Sequence, residues 1–189
     1  MIPSLAFLKK FSDIPESSFE KLKNLAVYRQ FPAKTVIASA GDIPKKCYLL
    51  ISGVLRAYIV TESGKVYNKR LYSPISFAGA LTAIIKNEPS EITYESLTEA
   101  KVFEVDFEAF KQLCREDFQI GKLYVRILEE VFVAYEERNL DLMRLDSTEL
   151  YKKLRKQIPN IDELIPQYQI AAYLGITPVQ LSRIRQKLK

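Results

Sequence analysis

The sequence predicts an α+β protein in three parts: an N-terminal double-stranded, jelly-roll-like β-roll, a long dimerisation helix, and a C-terminal helix-turn-helix domain. Short runs rich in Val, Ile, Leu, Phe and Tyr alternate with turn signals over about the first 110 residues. A long stretch without proline follows, and after it two short apolar segments flank a glycine. These observations divide the chain into a sensor-like roll at 1–116, a helix and hinge at 117–146, and a helix-turn-helix unit at 147–189.

Strands are expected where β-branched and aromatic residues concentrate in the N-terminal part. The predicted strand regions are Thr35–Ala40, Cys47–Thr61, Lys65–Tyr72 and Ile92–Val105. The pairs Gly41-Asp42 and Ser52-Gly53 are predicted turns, and the segment Glu62–Lys65 is a predicted hairpin. Many short strands with tight turns favour a roll, sandwich or barrel. Asp106 is expected to cap a helix that leads toward the long one.

Residues 117–145 are predicted to form one helix, which would span on the order of 40 Å. Its first apolar stripe alternates steps of four and three, as in a two-stranded coiled coil, and predicts a homodimer interface. That stripe contains Tyr124, Leu128, Val131, Tyr135, Arg138, Leu142 and Leu145. Arg138 would reach Glu137 or Asp141 of a second copy. The alternative is a helix buried inside one monomer.

A second stripe of the same helix is predicted to pack on its own protomer. It contains Ile120, Leu123, Ile127 and Ala134. The helix is expected to end at a hinge near Asp146, because Asp146-Ser147-Thr148-Glu149 is a capping pattern that begins a new helix.

The segment 167–187 predicts two helices joined by a short turn. Ile170, Leu174, Leu181 and Ile184 would share one core, and Ala171 would lie where the helices cross. Gly175 is able to take a positive φ, which ends the first helix. Thr177 is a suitable cap for the second helix, and Pro178 suits its first position. The spacing indicates a DNA-reading helix-turn-helix, with a plain αα-hairpin as the alternative.

The positive charge of the chain lies at its C-terminal end. Residues 150–189 contain eight Lys or Arg against two acidic residues, Asp162 and Glu163, which gives a net charge of +6. Because the whole chain carries +5, the remaining residues carry −1. This asymmetry is typical of a module that contacts phosphates, although a solvated basic face would have the same composition.

Several classes of function lack their residues in this sequence. The chain contains no histidine, which excludes Ser-His-Asp and Cys-His catalysis and most catalytic zinc sites, and it has no phosphate-binding glycine loop. Its two cysteines are far apart. We therefore expect no enzyme, no metal site and no cofactor. The first ten residues lack a basic leader and a cleavage site, and no run approaches membrane-spanning length, so a cytoplasmic protein is expected.

The order of these parts resembles the Crp/Fnr family of bacterial transcription regulators along nearly the whole chain. The motifs that carry the resemblance are Gly41-Asp42, Gly53, Gly64, Phe77-Ala78-Gly79-Ala80-Leu81, Gly175-Ile176-Thr177-Pro178 and Leu181-Ser182-Arg183-Ile184. The resemblance implies a cyclic-nucleotide-binding-like roll, a homodimer, double-stranded DNA as a partner, and RNA polymerase as a further candidate partner. The alternative is a β-roll dimer that binds no DNA and acts as a ligand-sensing or protein-interaction module.

The resemblance also implies an effector pocket. Relatives that bind cyclic AMP carry Gly-Glu-Leu and, about ten residues on, Arg-Ser/Thr-Ala, whereas this chain has Gly79-Ala80-Leu81 and Ser90-Glu91-Ile92. We therefore expect no tight cyclic-nucleotide binding of the usual kind, and the effector stays unidentified. The implied pocket contains Arg70, Tyr72, Phe77, Gly79, Ala80, Leu81, Ser90 and Glu91.

Two alternatives are open for this pocket. If the strand after Gly64 keeps the family's facing, Arg70 and Tyr72 point into the roll, and an inward arginine suits an anionic or carboxylate-bearing ligand. Otherwise Arg70 faces water or pairs with a nearby Glu. The interior could also be filled by its own side chains, which would leave a constitutive scaffold. Those side chains are Phe77, Leu81, Ile92 and Tyr94.

For DNA, the resemblance implies that a helix at about 178–188 enters the major groove of a roughly palindromic operator. Arg183 would bond a guanine bidentately, Gln180 would read an adenine, and Val179 would contact a thymine methyl. The predicted phosphate contacts are Gln169, Thr177, Ser182 and Lys187.

Overall fold

The computed structural model describes residues 13–188, so the N-terminal segment considered for a leader lies outside the described residues. Two four-stranded antiparallel sheets form the roll. The first contains, in spatial order, β1 (Val27–Phe31), β8 (Ala100–Asp106), β3 (Lys46–Ser52) and β6 (Ser76–Ala78). The second contains β2 (Val36–Ala38), β7 (Thr93–Ser96), β4 (Leu55–Val60) and β5 (Val66–Tyr72). The predicted α+β class and β-roll are confirmed.

The roll is closed by side chains that alternate inward along facing strands. Leu50, Leu55, Ala57 and Val102 are completely buried between the sheets, because successive residues of a strand point to opposite faces. Tyr72 and Tyr94 join the same core, with ring centroids 6.2 Å apart. The hydrophobic effect of these buried residues therefore holds the two sheets together.

Some elements of the roll are absent from the sequence prediction. They are α1 (Glu16–Leu25), β1, β6 and α2 (Leu81–Lys86). β1 is largely exposed and β6 has three residues, so neither shows the alternation that identifies a strand. The predicted strand Ile92–Val105 is two strands, β7 and β8, that belong to different sheets.

Gly53 lies in the turn between β3 and β4, which packs against the connection between those two strands. It has φ +92°, and a Cβ at this position would collide with the backbone carbonyl of Glu99. The turn between β3 and β4 therefore packs directly against the β7–β8 connection, where Val54 N also donates to the Thr98 hydroxyl oxygen at 2.9 Å. Only glycine fits such a close backbone approach.

Two capped helices connect the roll to the C-terminal part. α3 (Phe107–Glu116) begins at Asp106, whose carboxylate accepts from Ala109 N at 3.0 Å, as predicted. α4 (Phe118–Arg144) begins at Asp117, which accepts from Gln119 N at 3.1 Å and from Lys21 Nζ at 2.7 Å. The bond from Lys21 lowers the pKa of the Asp117 carboxyl, with Ser18 and a backbone amide adding to the effect and burial opposing it.

Three of the four residues in the stripe of α4 predicted to pack on its own protomer do so. Ile120 and Leu123 are fully buried against α1 and the first sheet, and Ile127 packs against the same cluster. This burial fixes which face of the long helix is turned toward the roll. It leaves the opposite face in solvent.

Four helices form the C-terminal unit: α5 (Ser147–Gln157), α6 (Ile161–Leu164), α7 (Gln167–Leu174) and α8 (Pro178–Lys187). Asp146 caps α5 through Thr148 N at 2.8 Å, as the capping pattern predicted. Ile170, Leu174 and Leu181 are buried in one core, and Gly175 ends α7 with φ +71°. The predicted helix-turn-helix is therefore present.

The C-terminal unit is not a separate lobe, because its core continues into the roll. Val54 and Leu71, on the outer face of the second sheet, belong to the same buried cluster as Leu154, Ile170 and Leu181. α7 lies along β5. The boundaries 1–116, 117–146 and 147–189 stay a prediction.

Candidate functional site

The solvent face of α8 is open along its length. Val179 is 60% exposed, and Ser182, Arg183 and Lys187 are exposed as well, whereas Leu181 is fully buried beneath them. The helix contains no acidic residue. α8 therefore presents a basic and polar face, which is what contact with phosphates and base edges requires.

The first turn of α8 is held by a capping box. The Thr177 hydroxyl accepts from Gln180 N at 3.2 Å, and the Gln180 side-chain carbonyl accepts from Thr177 N at 2.8 Å. Both side chains were predicted to contact DNA. Their oxygens are used to begin the helix, so only the side-chain nitrogen of Gln180 is left to donate to a base.

The basic residues around α8 differ in whether an acid neutralises them. Asp162 Oδ1 lies 3.5 Å from Arg185 Nε, and its Oδ2 lies 3.5 Å from Arg155 Nε. The same carboxylate accepts from the Tyr151 hydroxyl at 2.7 Å. Between residues 13 and 188, no acidic side chain pairs with Arg183 or Lys187. These two are the cations of α8 without an acidic partner in that part of the chain.

Gln169 is placed differently from its prediction. It is only 4% exposed, and its Oε1 accepts from Arg56 Nη1 and Asn68 Nδ2, each at 2.9 Å. Asn68 also donates to the Gln169 backbone carbonyl at 2.8 Å. A side chain enclosed in this way does not reach a phosphate, so the predicted contact at Gln169 is wrong. Gln169 instead joins α7 to the roll.

Arg56 is the centre of that junction. Its Nε donates to Glu95 Oε2 at 2.9 Å, and the two side chains are only 12% and 13% exposed. The guanidinium also lies 3.8 Å from the ring centroid of Tyr58. This cluster of Arg56, Asn68, Glu95 and Gln169, called here the docking cluster, was missed because its members are far apart in the sequence.

The predicted dimer face of α4 also needs correction. Tyr124 and Val131 line a cavity of their own protomer. Arg138 lies 4.2 Å over the Tyr173 ring and donates to the Tyr173 carbonyl at 3.1 Å, so it binds its own α7 rather than a partner's carboxylate. Leu145 packs against the C-terminal core.

The exposed apolar face of α4 is shifted by one residue from the stripe that the sequence predicted. The α4 ridge consists of Phe118, Val125, Phe132 and Met143, which are 77%, 54%, 70% and 81% exposed. Asn139 continues the seven-residue step from Phe132. A shift of one residue turns a helix face by about 100°. Between Leu128, Tyr135 and Leu142 of the predicted stripe, Val131 and Arg138 are therefore replaced on the exposed face by the next residues, Phe132 and Asn139.

A cavity of about 630 Å³ lies between the roll and α4. The eight residues predicted for an effector pocket line it: Arg70, Tyr72, Phe77, Gly79, Ala80, Leu81, Ser90 and Glu91. Tyr124, Leu128, Val131 and Tyr135 of α4 form the opposite wall. The interior is thus not filled by its own side chains, and its volume is typical of a small-molecule site.

The polar groups of this cavity are few. The Ser90 hydroxyl donates to Ile92 O at 2.8 Å and accepts from Ile92 N at 3.1 Å, and the Tyr94 hydroxyl donates to Gly79 O at 2.8 Å. Burial raises the pKa of Tyr72 and of Tyr94, so both stay neutral phenols at neutral pH. Arg70 lines the cavity, which is the inward one of the two alternatives predicted for it.

The part of the chain between residues 13 and 188 shows no cluster of Cys, Asp and Glu side chains suited to a metal ion. Burial raises the pKa of the Cys47 thiol to about 12, which keeps it protonated. None of the helices described is long and apolar enough to cross a membrane.

Comparison with known proteins agrees with this architecture. Residues 28–117, slightly less than half of the chain, match the family model of the cyclic nucleotide-binding domain. FixK2 from Bradyrhizobium japonicum is 19% identical over 86% of this chain and 84% of its own, with a TM-score of 0.70. A search of curated protein sequences gave no match.

Two further solved structures share the fold. The c-di-GMP-responsive global regulator CLP from Xanthomonas campestris is 18% identical over 92% of this chain and 91% of its own, with a TM-score of 0.66. The catabolite activator protein of Thermus thermophilus is 18% identical over 94% of this chain and 85% of its own, with a TM-score of 0.58. The resemblance to Crp/Fnr regulators is confirmed at the level of the fold.

Proposed function

Since residues 28–117 match the cyclic nucleotide-binding domain and the whole chain has the fold of Crp-type regulators, we propose that the protein is a dimeric, DNA-binding transcription regulator. Helix α8 reads a roughly palindromic operator, and the roll senses a ligand other than cyclic AMP. The observation that carries the proposal is the open face of α8, on which Arg183 and Lys187 are exposed and have no acidic partner in the described chain.

On this face Val179 and Gln180 lie in the first turn of α8, where helix-turn-helix proteins contact base edges, and Arg183 lies in the following turn. Its guanidinium suits the O6 and N7 atoms of guanine. Ser182 and Lys187 are the phosphate contacts that remain from the sequence prediction, and Val179 offers an apolar contact to a thymine methyl. Twofold symmetry would place two such helices about one turn of DNA apart.

DNA binding is tested by fluorescence anisotropy with a random duplex at several salt concentrations. One lysine per protomer that neutralises a phosphate gives a log–log slope of about −2 or steeper for a dimer, because condensed counterions are released. Affinity for DNA that is absent at low salt would contradict the proposal. It would favour the alternative, a β-roll dimer that acts as a ligand-sensing or protein-interaction module.

For the dimer, the proposed partner of the α4 ridge is a second copy of the same helix. Four large apolar side chains are more than half exposed on the ridge, and they recur mostly at seven-residue steps. Asn139 continues this seam, and a polar residue within a seam specifies register. The twofold dimer follows because one ridge meets the same ridge of the other copy.

The variant Phe132→Asp tests this interface by sedimentation velocity. A charge at the centre of the seam is expected to give a monomer at micromolar concentration, since a buried unpaired carboxylate is costly. Ile85→Asp is the matched control, because Ile85 is 60% exposed on α2, away from the ridge. A Phe132→Asp protein that sediments as the same dimer as the wild type would refute the α4 interface.

The absence of cyclic-nucleotide response is tested by isothermal titration with cyclic AMP and cyclic GMP. Ser90 uses its hydroxyl on its own backbone, and Glu88 and Glu91 are exposed at the mouth of the cavity. The Arg-Ser/Thr-Ala motif of the relatives that bind cyclic AMP is Ser90-Glu91-Ile92 in this chain, so binding weaker than micromolar is expected. Micromolar affinity for either nucleotide would contradict this part of the proposal.

A further inference from the structure

Three cations line the cavity: Lys69 and Lys86, which are exposed, and Arg70, which is more buried. Arg70 is half-buried, and in the described chain, 13–188, no carboxylate lies within ion-pair distance of it. Its guanidinium lies between two aromatic rings, 5.2 Å from the centroid of Tyr72 and 5.3 Å from that of Tyr135. Arg56, by contrast, is paired with Glu95. Two ring faces alone are weak partners for a half-buried charge.

Arg70 points into the cavity on the same face of β5 as Tyr72, two residues further on, and a β-bulge precedes it. Ala57 pairs with Arg70 and Tyr58 pairs with Asn68, so Lys69 is an extra residue in β5. The bulge lets Asn68 point outward to Gln169 while Arg70 points inward. Bulges commonly re-aim a side chain in this way. The inward position of Arg70 is therefore built into the strand rather than being one rotamer of a surface residue.

The remaining wall of the cavity is mainly apolar. Phe77, Leu81, Leu128 and Val131 line it, and the phenols of Tyr72 and Tyr94 are neutral. A matching ligand has an apolar body and one negative group.

We propose that this cavity binds an amphipathic monocarboxylate, whose carboxylate accepts two hydrogen bonds from Arg70 and whose apolar body lies against α4 and the roll. Guanidinium and carboxylate are planar and match as a bidentate pair, which distinguishes a carboxylate from a neutral head group. A volume of about 630 Å³ admits either an alkyl chain or an aryl group. The assignment rests on the proposed ligand-sensing role of the roll.

Isothermal titration distinguishes this ligand class. Octanoate and 4-phenylbutyrate are the acids, and 1-octanol and 4-phenyl-1-butanol are their neutral counterparts. At least one acid is expected to bind the wild type about 10- to 100-fold more tightly than its alcohol, the range expected for hydrogen bonds between charged groups. The result with the two acids identifies an alkyl or an aryl body.

Variants assign the preference to Arg70. Arg70→Met keeps the apolar stem and should bind acid and alcohol equally, whereas Arg70→Lys should retain part of the preference. Arg126→Met is the matched control, because Arg126 is 66% exposed on α4 and does not line the cavity. It should keep the full preference.

Three results would overturn the proposal: neither acid binds, acid and alcohol bind the wild type equally, or Arg70→Met keeps the preference. If Arg70→Met does not fold, the ratio of acid to alcohol affinity in the wild type and in Arg70→Lys still tests the proposal. Random-duplex binding is measured on the same preparations. Loss of the carboxylate preference with intact DNA binding refutes only this inference, and the reverse result refutes only the DNA-binding function.

Discussion

The two helices of the helix-turn-helix have opposite surroundings. α7 is enclosed: Gln169 is bound by the docking cluster, and Tyr173 is covered by Arg138 of α4. α8 is open, and Leu181 is its only fully buried side chain within the described chain. Helices that are joined by one glycine turn therefore have different roles. α7 connects the C-terminal unit to the roll, and α8 has the face that is open to solvent.

The enclosure of α7 brings it close to the cavity. Burial raises the pKa of the Tyr173 hydroxyl, while the positive charges of Arg138 and then Arg70 act in the opposite direction. Arg70 thus acts electrostatically on both the cavity and α7. Under the proposed function, a ligand bound at Arg70 would lie close to the helix that precedes α8.

The largest loss of stability is expected when the centre of the docking cluster, which encloses α7, is removed. Arg56→Met leaves Glu95 nearly buried without its cation and leaves Gln169 with one donor fewer. We expect the free energy of unfolding to fall by about 3 kcal/mol, as for other buried pairs that lose one partner. Urea denaturation followed by circular dichroism measures it.

Arg126→Met is the control for this substitution. Arg126 Nη1 lies 2.9 Å from Glu129 Oε2, but the two side chains are 66% and 55% exposed. Solvent screens such a pair, so a loss below about 0.5 kcal/mol is expected. Equal losses in the two variants would show that the docking cluster does not hold α7.

The open helix should respond in DNA affinity and not in stability. Arg183→Ala is expected to weaken operator binding by about 1–3 kcal/mol and to relax the preference at one base pair, since it removes a bidentate contact. Lys187→Ala is the matched control, for which a uniform loss over all sequences and a shallower salt slope are expected. Competition anisotropy with single-base operator variants measures both. A uniform loss for Arg183→Ala would make it a phosphate contact.

The same contrast explains which features of the fold could be predicted from sequence. The turn from Gly175 to Pro178 and the caps at Asp106 and Asp146 depend on neighbouring residues, so local rules identify them. Gln169 looked equally polar and local, yet Arg56 and Asn68 enclose it from more than 100 positions away. A buried amide with distant partners leaves no periodic signal.

The dimer face shows a different limit of sequence reasoning. Both faces of α4 are apolar, and Leu128, Tyr135 and Leu142 fit either seam. The choice between Val131 and Phe132 depends on which side the roll covers, and that depends on the cavity wall. Periodicity finds a helix with two apolar stripes but does not assign the partner of each. The outward direction of Asn68 is equally hidden from the sequence, because the bulge at Lys69 interrupts the simple alternation of β5.

The smallest expected effect is a loss of stability at the start of α8, which is compared with a substitution on its exposed face. Thr177→Ala removes the hydroxyl that accepts from Gln180 N and so breaks the capping box. We expect a loss of about 1 kcal/mol in the free energy of unfolding, together with weaker DNA binding, because the proposed base contacts Val179 and Gln180 lie in that first turn. Ser182→Ala also removes a hydroxyl from the α8 region, but at an exposed position. Its stability should change by less than about 0.5 kcal/mol while its DNA affinity falls. If the two variants lose the same stability, the cap does not hold the start of α8, and the Gln180 side chain would be free to read a base as first predicted.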